Sequence, residues 1–267
     1  MSCYKYWEKI LKISESLTKY DKNKIKDRSL NEILPLLDSI EEIAHDQKID
    51  FKDAEHILKN EKMNDALKII RGFYVEIGLK LETENAQEIL ESENPWNTLK
   101  SFYFYERYEK LIRNEKKLLN FNQKEVVVFI GGGPLPLTLI LLNKMFEVKG
   151  VSIEIVLDIA EISRKVLEKL DLTSEIKVIS GDETELSHLD YDVVMVAALA
   201  EPKKRIFNNV KKEVKQFNPV IYRTYTGMRA ILYSPVTDEA THGFREINRV
   251  LPPGKVNNTS ILINKIN

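Results

Sequence analysis

Cysteine is almost missing from this chain. Cys3 is its one thiol in 267 residues, so no internal disulfide can form, and a reducing cytoplasm is the expected setting. Histidine is also scarce. Residues 45, 56, 188 and 242 are the four histidines, too scattered for metal-ligand spacing, so each reads as a surface or satisfied core side chain and no metal is expected. Neither charge sign dominates, with Lys+Arg 40 against Asp+Glu 41 and a net charge of −1. That balance gives no global pull toward nucleic acid or an anionic membrane, so neither is an expected partner. The basic pairs Lys116-Lys117 and Lys211-Lys212 read as solvated faces. Long apolar runs are lacking too. The opening MSCYKYWEKILKISE carries charges every few residues, and is expected to be neither a signal peptide nor a membrane span. Apolar residues nonetheless make up 43% of the chain, enough for a sizeable core and too many for wholesale disorder.

Two textures meet near residue 120. Before it, glycine is nearly absent and apolar residues recur every three to four positions. This predicts helices over 33–46, 51–60, 65–91 and, after the Asn94-Pro95 break, 96–119. After it, strand-like and helix-like segments alternate. Strands are expected at 125–130, 150–155, 176–179, 191–196 and 218–224, with helices at 136–146, 158–169 and 202–213 between them; segments near 244–250 and 259–264 suit antiparallel edge strands. The fold class is therefore α/β. A helical bundle domain is expected over 1–120 and a Rossmann-like domain with a mostly parallel sheet over 121–267. The short polar junction Asn120–Lys124 suggests that the helices pack on the ligand edge of the sheet.

The densest motif opens the second half. Val126, Val127, Val128 and Ile130 form an apolar, β-branched run suited to a strand buried on both faces. Gly131, Gly132, Gly133 and Pro134 follow, then Pro136 where a first helical turn tolerates proline. Such a strand, glycine turn and helix make a nucleotide-type site, although a plain Gly-rich turn has the same pattern. Glu154 lies about 20 residues beyond, where an acid can hold ribose hydroxyls. The loop is not G-x-G-x-x-G, and no basic residue follows closely enough to cradle a phosphate. A nucleoside ligand without pyrophosphate fits, with S-adenosylmethionine (SAM) the candidate. Phe129 stands where SAM-binding proteins often carry an acid.

Further candidates follow along the chain. Asp182, after the third strand, can accept from an adenine amino group or simply cap its loop. Ala197, Leu199 and Ala200, after the fourth, permit close ligand contact or tight helix packing. Glu82 shares a helical face with Val75, Leu79, Ala86 and Ile89; a carboxylate on an apolar stripe has a raised pKa and suits a general base, unless it lies at the stripe's edge in water. In the aromatic run Ser101–Tyr108 most rings read as packing, while Tyr105 and Tyr108 share a side and Tyr108 can offer a hydroxyl to substrate. In the block 221–233, Arg223 near a strand end can fork a substrate carboxylate or form a structural ion pair, and Tyr225 lies beside it.

Together these segments resemble nicotianamine synthase, especially its shorter archaeal-type members. The resemblance rests on GGGPLPLT (131–138), YDVVMVAAL (191–199), YRTYTGMRAILYSPV (222–236), the aromatic run 101–108 and the segment around Glu82. It covers about residues 65–236, and the first 60 residues match loosely. It implies transfer of an aminocarboxypropyl group from SAM to an amine, with release of 5′-methylthioadenosine, to build a metal-chelating product; glutamate is one acceptor to expect. Gly131–Pro134, Ala197 and Leu199 would line the SAM site, with Glu154 at the ribose and Asp182 at the adenine. Glu82 would take the amine proton with Tyr108 as its hydroxyl partner, and Tyr105, Arg223 and Tyr225 would meet the substrate. The partners expected are small molecules, with a homodimer as the assembly. A SAM methyltransferase with a helical cap and a non-catalytic SAM- or chelator-binding module are the rival readings.

Overall fold

The computed structural model describes residues 3–20, 25–121 and 125–266. Part of the expected junction, residues 122–124, lies outside them. The chain divides into two compact units. One comprises residues 1–80 with 225–235; the other comprises 81–224 with 236–267. The boundary expected at residue 120 therefore falls inside the second unit. The reason is local: the helix over 105–115 packs on the helix that follows the glycine turn, and the one over 95–100 packs on the 105–115 helix in turn, so both belong with the sheet.

The first unit is helical. It holds α1 (Cys3–Leu17), α2 (Leu30–Ala44), α3 (Phe51–Leu58) and the start of α4 (Asn64–Glu91). Helix α1 was not among the expected elements; Tyr6, Ile10 and Leu17 give it one buried face despite its charges. Asp50 caps α3 by accepting from the Asp53 amide at 2.8 Å, which satisfies a donor that the first turn would otherwise leave open. The returning segment forms a 3₁₀ turn, Gly227–Ile231, packed on α2 and α3. Its Met228, Ile231 and Leu232 are buried.

The second unit holds a seven-stranded sheet ordered β3-β2-β1-β4-β5-β7-β6. The strands are β1 (Val126–Ile130), β2 (Lys149–Glu154), β3 (Ile176–Ser180), β4 (Val193–Val196), β5 (Val220–Thr224), β6 (Phe244–Val250) and β7 (Thr259–Lys265). The first five are parallel; β7 pairs antiparallel with β5, and β6 with β7. Helices α7 (Leu137–Phe146), α8 (Leu157–Lys169) and α9 (Lys203–Glu213) complete the crossovers. Strand order reverses at β1, between β2 and β4, and in such sheets ligands bind beyond the carboxyl ends at that reversal. Alternation along the strands sorts their side chains. Val128, Ile130, Val151, Ile153, Val194, Val196 and Tyr222 join Phe207 of α9 in one core. Phe129, Ser152, Met195 and Arg223 consequently point to the opposite face.

One expected helix is two. The segment 96–119 forms α5 (Pro95–Lys100) and α6 (Tyr105–Glu115), separated by a turn. Phe102 and Phe104 are both buried, and their rings meet edge-on at 5.7 Å. Among the described residues, no helix is long and apolar enough to cross a membrane.

Candidate active site

The glycine turn after β1 is packed on all sides. Gly131 and Gly133 have φ of 84° and 67°, in the left-handed region that side chains disfavour. A Cβ on Gly131 would lie 2.9 Å from the Ala200 methyl and 3.3 Å from that of Ala197, and one on Gly132 only 1.9 Å from Ser152 Oγ. The turn is thus pressed between the tips of β2 and β4, with Pro134 buried behind it.

Two carboxylates converge on Gly133. Its amide donates to Glu154 Oε2 at 3.0 Å, while Val156 N donates to Oε1 at 3.0 Å. Glu154 therefore ties the β1 turn to its own strand end, and each oxygen keeps a lone pair for a further donor. From α4, Glu82 Oε2 lies 2.9 Å from where a Gly133 Cβ would stand. Burial first, and the nearby Glu154 charge second, together push the Glu82 carboxyl up to about 8. Both causes disfavour the charged form. On the apolar face expected around Glu82, Ala86 and Ile89 are fully buried, Val75 is half-buried and Leu79 is 42% exposed. Glu82 itself is half-buried.

Other expected site residues divide by location. Asp182 caps the 3₁₀ turn Glu183–His188, accepting from both the amide and hydroxyl of Thr184. Those bonds hold its carboxyl below the ordinary carboxylate range. Ala197 is half-buried and Leu199 is exposed beyond β4. Tyr105 is 5% exposed, and its hydroxyl accepts from Lys144 Nζ at 2.7 Å, so it faces packing and not an open substrate site. Tyr225 is buried in the helical unit against Tyr74 and Tyr233.

Arg223 is the clearest departure from a substrate-binding reading. It is 3% exposed, and its Nε and Nη2 donate to the two Glu115 oxygens at 2.7 and 2.9 Å. Nη1 donates to Thr138 Oγ1 at 2.8 Å, and Ser260 Oγ donates to Glu115 Oε1 at 2.6 Å. Its guanidinium lies 5.3 Å from the Phe129 ring centre and 5.9 Å from that of Tyr108. The ion pair, left open as an alternative, is what the fold builds, because strand alternation turns residue 223 under α6 and α7. Phe129 gains its reason here: an aromatic face covers a buried cation.

Sequence reasoning missed Glu115 and Lys203. Nothing marked Glu115, one carboxylate among many on a charged helix. Lys203 did leave a signal, since Lys203, Lys204 and Arg205 open α9 against the positive end of its dipole. Among the described residues, no group of three or more His, Cys, Asp or Glu could hold a metal.

A turn of this build at a sheet reversal, flanked by a protonatable carboxylate, suits a cationic nucleoside. The family model described as nicotianamine synthase protein matches residues 5–267. The chain belongs to the nicotianamine synthase family. The match extends the resemblance expected over about 65–236 to nearly the whole chain. A nicotianamine synthase of Solanum lycopersicum is 28% identical over 199 residues, covering 70% of this chain and 62% of the tomato protein. The chain thus spans about three-fifths of that plant relative. Among solved structures, a glutamate-to-glutamine mutant of MtNAS in complex with S-adenosylmethionine is 53% identical with a TM-score of 0.94, and MtNAS in complex with MTA and tNA is 53% identical with a TM-score of 0.95; each match covers 100% of both chains.

Proposed function

We propose that this member of the nicotianamine synthase family transfers the aminocarboxypropyl group of SAM to an amine and releases 5′-methylthioadenosine. The observation that carries the reading is the Glu82 carboxyl against Gly133, raised to about 8 by burial and by Glu154. An acceptor ammonium cannot attack until it loses a proton, and a carboxylate titrating near neutrality can take it. The free amine then attacks the methylene carbon next to sulfur. The new C–N bond forms as the C–S bond breaks, and its electron pair goes to the positive sulfur, leaving a neutral thioether. The nitrogen keeps its two remaining protons as a secondary ammonium, and the proton that Glu82 took earlier passes to solvent before the next transfer. The Glu154 carboxylate and, once deprotonated, Glu82 favour a sulfonium beside the turn, and which carbon reacts follows from which lies in line with the amine.

In this reading Gly131–Pro134, Ala197 and Leu199 line the SAM site, Glu154 meets the ribose, Asp182 the adenine amine, and Tyr108 supports the base. Glutamate is the acceptor we favour, in the cytoplasm and in a homodimer, and the product is a metal chelator. Support comes from the MtNAS complexes with S-adenosylmethionine and with MTA and tNA, at 53% identity over the full chain.

The test is product analysis. Purified protein incubated with SAM, with and without glutamate, is expected to yield 5′-methylthioadenosine by chromatography, and a glutamate-dependent product heavier by one aminobutyrate unit by mass spectrometry. S-adenosylhomocysteine as the sole nucleoside product would overturn the reading in favour of methyl transfer, and SAM binding without turnover would make the chain a binding module.

A further inference from the structure

Lys203, the first residue of α9, has no part in the chemistry above, yet it is 8% exposed. Its ammonium donates to three carbonyls of the turn after β4: Ala198 at 2.9 Å, Ala197 at 3.4 Å, and Ala200. Glu201 completes the surroundings. Its Oε1 lies 3.7 Å from the ammonium, and its Oε2 accepts from the Lys203 amide at 2.8 Å. Three N–H donors meeting three carbonyls satisfy the ammonium fully. Burial pushes the amine down to about 8, still protonated at neutral pH with all three donors present.

The clamped turn is the one that presses on the glycines. Ala197 and Ala200, whose carbonyls Lys203 holds, are the residues whose methyl groups lie 3.3 and 2.9 Å from a Cβ built on Gly131. Ala197 N also donates to Ile130 O at 3.0 Å, fixing the turn's start to β1. Its far end, at Ala198 and Ala200, is tied by the lysine. Without that tie, these carbonyls would turn toward water, and the wall beside Gly131 would lose its set position.

We propose that Lys203 is a positioning residue for the SAM site, its ammonium holding the Ala197–Ala200 turn against the glycine turn so that this wall is formed before the nucleoside arrives. A preformed wall spares the ligand the ordering of a loop, so its loss appears in affinity and not in the bond-making step. The inference rests on the proposed SAM site. Lys203→Met keeps the aliphatic stem and removes the donors; Lys203→Arg keeps a permanent cation with fork-shaped donors. By calorimetry and steady-state kinetics, Lys203→Met is expected to raise both the Kd and the KM for SAM about tenfold, the scale of one or two lost charge-assisted bonds, with kcat within about twofold. Lys203→Arg is expected to recover part of the affinity. A Lys203→Met protein with unchanged Kd, or with lowered kcat and unchanged KM, overturns the proposal. So does equal loss in both variants alongside an equally lowered melting temperature, since that marks a merely structural lysine. Wild type that makes only S-adenosylhomocysteine while the affinity pattern holds would sink aminocarboxypropyl transfer and leave the positioning role standing.

Discussion

At the scale of single residues, folding changes the protonation of the Glu82 carboxyl. Its folded pKa of about 8 lies above the ordinary carboxylate value because burial, then Glu154, penalise the anion. Between the two values the folded state binds more protons than the unfolded chain, so the group costs stability as pH rises through that window and the cost levels off above about 8. Glu82→Gln removes that cost. Its melting temperature relative to wild type is expected to climb from pH 5 to pH 8, while turnover drops by roughly 10²–10⁴, the usual weight of a positioned base. Normal rates in Glu82→Gln across the pH range would place the proton acceptor elsewhere. SAM carries a positive sulfonium, and its arrival should lower the Glu82 pKa. Wild type is therefore expected to release protons on binding SAM near pH 7, read by calorimetry in buffers of different ionisation enthalpy; Glu82→Gln should release none. Binding enthalpies independent of buffer would remove the sulfonium from beside this carboxylate. Glu154→Gln should shift the acid limb of the rate profile downward, since it deletes the second cause of the raised pKa.

At the scale of elements, the molecule depends on a few ties where strands and helices meet. Glu115 and Arg223 join α6 to β5, with Thr138 of α7 and Ser260 of β7 completing the bonds. Removing one partner strands the other charge in the interior, which typically costs about 3–5 kcal/mol. Arg223→Met and Glu115→Leu are each expected to lower stability by that order in urea denaturation. The double variant should recover much of it, since neither charge then stays buried alone; single variants as stable as wild type would show the pair to be hydrated. The glycine turn is a second tie. Gly132→Ala places a methyl 1.9 Å from Ser152 Oγ, so a large loss of stability is expected. Ser152→Gly in the same chain should restore a measurable part, because it removes both the hydroxyl and the carbon that carries it. No rescue would mean that the backbone, not Ser152, excludes the methyl.

At the scale of the whole molecule, the chain leaves its sheet once and returns. Residues 225–235 belong with the first 80 residues, not with the sheet strands on either side of them. Met228, Ile231 and Leu232 are buried there, on a turn that packs against α2 and α3. A fragment starting at residue 64 would retain every strand but lose those partners, exposing apolar surface it cannot cover. It is expected to bind a hydrophobic dye and to lose the cooperative unfolding of the full chain. A sharp transition without dye binding would mean that the segment finds other cover.

The sequence by itself determined the two textures, the order of strands and helices along the chain, the two late antiparallel strands (of which β6 alone is an edge) and the glycine turn with Glu154. All of these are written in local periodicity and in backbone chemistry that only glycine and proline supply. It did not mark where the first unit ends, because α4 is a continuous helix with no break at residue 80. It did not mark the break at residues 101–104 between α5 and α6. The partners of polar side chains were decided by the tertiary structure alone. Arg223 could hold a ligand carboxylate or a protein one on spacing grounds, and Glu115, 108 positions away in the chain, settled it. Likewise the raised pKa of Glu82 has its causes in burial and in the Glu154 carboxylate, which lies far from it in sequence. Desolvation and charge act through space, and no reading of neighbours along the chain contains them.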